Sequence, residues 1–409
     1  VRGSGGVLDR RTHLMGELDF DFRDPDLHAD PLAYQRRFAE ADPVHRNSQG
    51  LWVLTRYADV LAMLRDDRVS TDRRNLYRGK LDPGRPYLAH VEHNLFYRSG
   101  DDHRRLRAPL SRAFTPRALA SFEAEVAARA RSLAAGLDRD GFDLVAQFAK
   151  PLPLGAIATL LGVPDSELDN LAAWSLALIA ALEPAAPRAV FTAADDAAAG
   201  MKALLADLLA LRRTDPGHDL LSVVATSGLP VSDDELLHNA IFLLSAGHDT
   251  TTAVLTGAAA LLIGSPGQRN LLADSAAAPH AVDELVRMIS PALMISRVAG
   301  APIEIARGNE TVVIDTGAPI LLGLAAANRD PAVFPEPDRL DLTRSQTGHL
   351  GFGFGPHVCL GAPLARMQIR LGLLALFDRF PQLTAQAPPY REPSAVLTSY
   401  RSYPLAARG

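Results

Sequence analysis

Gly351 to Gly361 reads GFGFGPHVCLG and holds Cys359, the only cysteine among 409 residues. A single cysteine closes no internal disulfide, which fits a reducing compartment. It also excludes zinc ribbons and iron–sulfur clusters, which take several thiolates from one chain. Three roles stay open for Cys359: a buried apolar filler, a nucleophile, or a single axial metal ligand. The surroundings favour charge on sulfur. A helix predicted from Leu360 to about Asp378 aims unpaired N–H groups and its positive dipole end at the thiol. Gly353, Gly355 and Gly361 carry no side chain, so a flat object can approach the backbone. Phe352 offers an apolar wall, and His357 is a donor two residues before the sulfur.

Outward from this loop the pattern is mostly helical. Helices are expected at Pro31–Pro43, Ala58–Arg65, His103–Ala113, Pro116–Leu137, Leu154–Leu161, Ser166–Leu182, Val190–Arg213 and Pro279–Ile289. The sharpest boundaries belong to a helix that begins at the capping box Ser232-Asp-Asp-Glu235 and stops at Gly264-Ser-Pro266. It is apolar nearly all round and should cross the interior. His248 and Asp249 interrupt its centre, which suits a buried helix better than a membrane span. Leu51–Tyr57, Ile303–Ile305, Thr311–Ile314 and Pro319–Gly323 read as strands, and Ser70–Gly100 as a long functional loop. The expected fold is mainly α with a small β region, a single large domain over residues 15–409 around a long central helix. Residues 1–14 read as a disordered leader or scar. A net charge of -5 and a pI near 6.2 give no basic footprint for nucleic acid. The expectation is a cytoplasmic monomer with no membrane anchor.

The spacing Phe352-Gly-x-Gly-x-His-x-Cys-Leu-Gly361 resembles the haem-ligand loop of the cytochrome P-450 superfamily at every signature position. The resemblance implies the cytochrome P-450 fold, a long oxygen-binding helix, and Cys359 as axial thiolate of a b-type haem (heme b, iron protoporphyrin IX). Ser245–Thr252, SAGHDTTT, is similar to the family segment over the haem, where a local opening of the helix admits dioxygen. By that match Asp249 and Thr250 are the catalytic acid–alcohol pair, and Ala246 and Gly247 leave space beside the cofactor. Read without the family, the same segment is a kinked helix whose hydroxyls bond back to the previous turn. His103 and Arg107, four apart on one helix face, match a propionate-binding pair. Arg297 and His357 match two further propionate ligands. Glu284 and Arg287 match the family's buried Glu-x-x-Arg, with Arg339 as its downstream third member; by themselves they are an ordinary i,i+3 surface pair.

Substrate contacts are less written in the sequence. Leu243, Leu293, Met294, Ile295 and Val396 are expected as an apolar floor near the iron. The loop arginines, Arg74 foremost with Arg73 and Arg78, are candidates for an acidic substrate group or a carrier protein's phosphate arm. What the resemblance implies is a monooxygenase of specialised (secondary) metabolite biosynthesis that inserts one oxygen atom into an apolar or aromatic small molecule. Electrons come from a separate ferredoxin and ferredoxin reductase, which dock near Arg104, Arg105, Arg112 and Arg366. Oxidative coupling, rearrangement, and hydroxylation of a carrier-protein-bound acid are the alternatives.

Overall fold

The capping box forms as written. Ser232 Oγ accepts from Glu235 N at 3.2 Å and Glu235 Oε2 accepts from Ser232 N at 3.0 Å. From it runs one uninterrupted α-helix, Asp233–Gly264, of 32 residues. The structure, a computed structural model, describes residues 18–226, 230–345 and 348–407. The expected leader lies outside the described residues. No described helix is long and apolar enough to cross a membrane.

The central helix buries most of its length, Leu236 to Ile241 and Thr251 to Ala259 included. Helices Pro151–Leu161, Leu168–Ala180, Arg188–Thr214 and Ala362–Arg379 pack against it. Two apolar clusters result. One joins its first half to helices Pro86–His93, Gly100–Ser111 and Arg188–Thr214. The other joins its second half to Pro116–Ala135, Ala278–Ile289 and Ala362–Arg379. Before Pro151 the chain widens into one π-helical segment, Val145–Ala149, where Lys150 N donates to Val145 O. Ala149 O there accepts from Thr252 Oγ1 of the central helix at 3.1 Å.

The β portion is small. The largest sheet has five short strands in the order Val44–Arg46, Trp52–Leu54, Pro319–Gly323, Met294–Ala299, Val69–Ser70. Trp52–Leu54 and Pro319–Gly323 run parallel, and the other neighbours are antiparallel. Its register places Ile320 between Trp52 and Arg297. Ile303–Arg307 and Glu310–Ile314 form a hairpin through Gly308-Asn309, with Gly308 at φ 61°, as a two-residue loop with glycine first requires.

Several boundaries differ from expectation. Ser70–Gly100 is not one loop: helices Arg74–Arg78 and Pro86–His93 and the 3₁₀ turn Leu95–Tyr97 occupy it. Helices of five and eight residues are too short to show a period. The helix after the cysteine starts at Ala362 rather than Leu360. Strand Met294–Ala299 was not expected; its residues gain their ladders from distant Pro319–Gly323 and Val69–Ser70.

Candidate active site

Two glycines shape the cysteine loop. Gly353 and Gly355 both sit at φ 71°. A Cβ on Gly355 would lie 2.6 Å from Leu64 O, so no other residue fits there. Cys359 N donates to Phe352 O at 2.8 Å and closes the loop. Phe352 packs under the guanidinium of Arg366, 4.5 Å from its ring centre. Cys359 is exposed, with protein packed closely around it. Burial pushes its thiol up; the N–H groups of Gly361 and Ala362 and the charges of Arg107 and Arg366 pull the other way.

A lattice of paired charges holds this loop. Glu284 and Arg287 form a fully buried bidentate pair, Nε–Oε2 2.7 Å and Nη2–Oε1 2.9 Å. Arg287 Nη1 also donates to Asn328 O and Pro337 O, both at 2.8 Å. The third member is Arg344, whose Nε reaches Glu284 Oε1 at 3.2 Å. Arg339 does not take that place. It is 59 % exposed and pairs with Glu336 and Asp341. The turn at Glu336, with φ 47°, sends Arg339 outward while Arg344 folds back to Glu284. Asn328 Oδ1 accepts from Leu350 N at 2.7 Å, which ties this lattice to the cysteine loop.

Beside the loop lies a second group of basic side chains, and these lack acids. His103 and His357 stack with ring centres 4.0 Å apart. His103 Nε2 is buried and has no hydrogen-bond partner. Burial, with Arg107 and Arg104 adding to it, lowers His103 to about 4. Burial, then His103, Arg297 and Arg107, lower His357 to about 3. Arg107 donates to Val358 O at 2.7 Å, with its guanidinium drawn down by burial and raised by Cys359. Arg297 is 7 % exposed. It donates to Ser296 O at 2.9 Å, and burial together with Arg73 lowers it to about 9. No carboxylate among the described residues pairs with any of the four.

Across the central helix, Ala246 and Thr250 are four apart on one face. Ala246 is exposed in the middle of this buried helix, so that face opens onto interior space. Gly247 does not. A Cβ there would meet Ile157 Cγ1 at 3.0 Å, so its missing side chain lets helix Pro151–Leu161 come close. The expected opening of the helix is not seen. The hydroxyls of Ser245, Thr250 and Thr252 bond back to Ile241 O, Ala246 O and His248 O at 3.0, 3.1 and 2.9 Å. Back-bonding satisfies them without breaking the ladder. Asp249 sits at the edge of the Ala246 face and lines a cavity of about 130 Å³ with Lys150, His248, Tyr400 and Arg401. Burial raises the Asp249 carboxyl, opposed by His248, Lys150 and Arg401.

The expected apolar floor is split. Leu243 packs with the first-half cluster of the central helix. Leu293 and Met294 pack instead with Phe20, Leu27, Tyr34 and Phe38. Ile295 alternates with Met294 along the strand and packs against the Val44–Trp52 cluster. Val396 O accepts from Leu293 N at 2.8 Å. Arg74 is already engaged, Nε to Asp72 at 2.8 Å and Nη2 at 2.5 Å. Sequence reasoning singled out Arg339 and missed Arg344; the DLTR run before the cysteine loop was the available signal.

The family model described as Cytochrome P450 matches residues 278–403. The chain is 39% identical over 345 residues to a vitamin D(3) 25-hydroxylase of Pseudonocardia autotrophica, covering 81% of each chain. It is 34% identical over 381 residues to the 6-deoxyerythronolide B hydroxylase of Saccharopolyspora erythraea, covering 88% of this chain and 92% of that one. Among solved structures, P450BioI in complex with a hexadec-9Z-enoic acid ligated acyl carrier protein superposes with TM-score 0.85 at 28% identity, covering 93% of this chain and 99% of that one.

Proposed function

This chain belongs to the cytochrome P450 family, and from that premise we propose that it is a b-type haem-thiolate monooxygenase inserting one atom of dioxygen into an apolar or aromatic small molecule of specialised metabolism. The fold is the cytochrome P450 fold and the chain is a P450 monooxygenase. The family implies haem with an axial thiolate, and Cys359 is the only sulfur nucleophile available.

The residues present fit such a group. The observation that carries the reading is the set His103, Arg107, Arg297 and His357, buried or half-buried beside Cys359 without acid partners. Buried guanidiniums and ring nitrogens without partners are costly, and two propionates answer that cost with hydrogen bonds, charge-assisted at Arg107 and Arg297. When bound, the haem supplies dioxygen chemistry, with the thiolate favouring O–O cleavage. The chain's own part is binding and proton handling. Gly355 and Phe352 keep the loop in shape, and the Glu284–Arg287–Arg344 lattice holds it in place. Ala246 leaves the helix face open. Thr250 Oγ1 lies on that face, donating to Ala246 O at 3.1 Å; released from that bond its hydroxyl would serve as the proton donor there, and Asp249 would bring solvent protons from the cavity it lines with Lys150 and Arg401.

Electrons come from a separate ferredoxin and its reductase. Phe354 is 40 % exposed beside the cysteine loop, with Arg65 over its ring. Of the four arginines expected to face a donor, Arg104, Arg105 and Arg366 pair with Asp101, Glu235 and Asp283, and Arg112 makes no ion pair among the described residues. Exposed Phe354 with Arg65 over its ring, and an exposed Arg112 with no ion pair among the described residues, suit a small acidic donor.

Turnover with surrogate redox proteins under labelled dioxygen tests the reaction. Hydroxylation adds one labelled atom to the product. A product without label marks coupling or rearrangement and refutes oxygen insertion.

A further inference from the structure

The segment between Ser70 and Gly100 carries six basic side chains, and five of them are accounted for. Arg74 is bound to Asp72. Arg78 Nε meets Glu92 at 2.7 Å, Arg85 Nε meets Asp195 at 2.7 Å, and Arg98 Nη1 meets Asp102 at 2.5 Å. Lys80 lies exposed to water. Arg73 is the exception. It alone of the half-buried ones pairs with no acid among the described residues, and its Nε, like that of Arg98, is buried without a hydrogen-bond partner.

Its place is informative. The guanidinium lies over the rings of Phe96 and Tyr97, 5.4 and 5.3 Å from their centres. Phe96 stacks on Phe242 of the central helix, ring centres 5.3 Å apart. Phe242 is one turn before Ala246, on the same helix side. Arg73 therefore stands at an aromatic wall that leads to the open face of the helix. It is also near enough to Arg297 for the two charges to oppose each other.

Charge counting separates Arg73 from the cofactor set. A ferric porphyrin core carries one net positive charge, which the thiolate offsets. Two propionates then face three guanidiniums, those of Arg73, Arg107 and Arg297, with the His103 and His357 rings beside them as further donors. One guanidinium is left without an anion. Rings on one side of it and an unpaired Nε make it a seat for a planar carboxylate on an apolar body.

We propose that Arg73 is a specificity-determining residue that binds a carboxylate of the substrate, so that this chain takes apolar acids. The proposal rests on the haem-thiolate reading. It moves the anion contact from Arg74, whose guanidinium Asp72 already fills, to its neighbour.

The test uses the ferric haem-loaded full chain, titrated with imidazol-1-yl-alkanoic acids of graded length and with their methyl esters. The imidazole end reports through the iron, as a red shift of the Soret band, and the other end probes Arg73. At the best length the acid should bind about tenfold or more tighter than its ester, as expected for a hydrogen bond to a charged group. Arg73→Gln should bring the acid down to the ester's affinity, with the ester's affinity and the haem content unchanged. Arg73→Lys should keep part of the preference, since a point charge lacks the fork. Equal binding of acid and ester at every length overturns the proposal. So does Arg73→Gln weakening both ligands alike, or lowering haem content, which would make Arg73 a propionate ligand. If plain imidazole shifts no Soret band in the parent protein, the haem reading itself has failed and this proposal with it.

Discussion

Arg287 and Arg297 stand ten residues apart and are 1 % and 7 % exposed, yet they live in opposite surroundings. Every direction around Arg287 holds a partner: Glu284, Asn328 O, Pro337 O and, through Glu284, Arg344. Around Arg297 stand Arg73, His357 and one carbonyl, and burial drives its proton affinity down. Burial alone does not tell structure from function. Partnered burial marks a joint of the fold, while unpartnered burial marks a place kept for something the chain does not itself supply.

The comparison can be broken in several places. The largest effect is expected at the joint. Glu284→Ala strands Arg287 and Arg344 and should cost about 3–5 kcal/mol in denaturant unfolding of the haem-loaded protein; a loss under ~1 kcal/mol would mean that the lattice is not what secures the loop. At the other arginine the sign should reverse between states. Arg297→Leu should leave haem-free stability equal or higher, and weaken haem retention by ~1.5–3 kcal/mol, about tenfold to a hundredfold, in a transfer assay to an apo-globin. Equal destabilisation of both forms would make Arg297 a structural residue.

The histidines give the next effect. In the unfolded chain they titrate near ~6.5; in the fold His103 lies at about 4 and His357 at about 3. Between those values and ~6.5 the unfolded state binds more protons, so stability falls as pH drops. His90 and His238, also lowered by burial, act in the same direction in both forms. Propionates would raise His103 and His357 toward ordinary values. Haem-free protein should therefore lose more stability than haem-loaded protein between pH 7 and 5, on the order of 1 kcal/mol more, read from urea midpoints. Parallel slopes would contradict the assignment. The smallest effect belongs to Arg339→Ala, expected within ~0.5 kcal/mol of the parent because its ion pairs face water, against several kcal/mol for Arg344→Ala. The reverse ranking would restore Arg339 to the lattice.

What the sequence revealed and what it hid divide along a physical line. The capping box at Ser232 and Glu235 and the glycine pattern ending at Cys359 are local, and local backbone demands leave local marks. Gly355 had to be glycine because Leu64 O stands where its Cβ would be. The choice between Arg339 and Arg344, or between Arg73 and Arg74, depends on which way a loop turns and which acid stands nearby. Asp72 takes Arg74 two residues away and leaves Arg73 free, and no spacing rule distinguishes the two. Gly247 resembled space for a ligand and proved to be space for Ile157. Strand Met294–Ala299 exists through Pro319–Gly323, about 25 positions on, and through Val69–Ser70, far earlier in the chain, and its alternation, broken by Ser296 and Arg297, gave little notice of it.

The central claim is a bond from the Cys359 sulfur to haem iron, with the haem's carboxylates held by the basic side chains that lack acid partners. The most direct measurement is the carbon monoxide difference spectrum of the reduced, haem-loaded protein beside that of Cys359→Ser. The account predicts the strongly red-shifted Soret band of thiolate-ligated iron in the parent. In the variant that band should vanish while haem is still bound through Arg107, Arg297 and the two histidines. An unshifted band in the parent, or the same red-shifted band in Cys359→Ser, would contradict it.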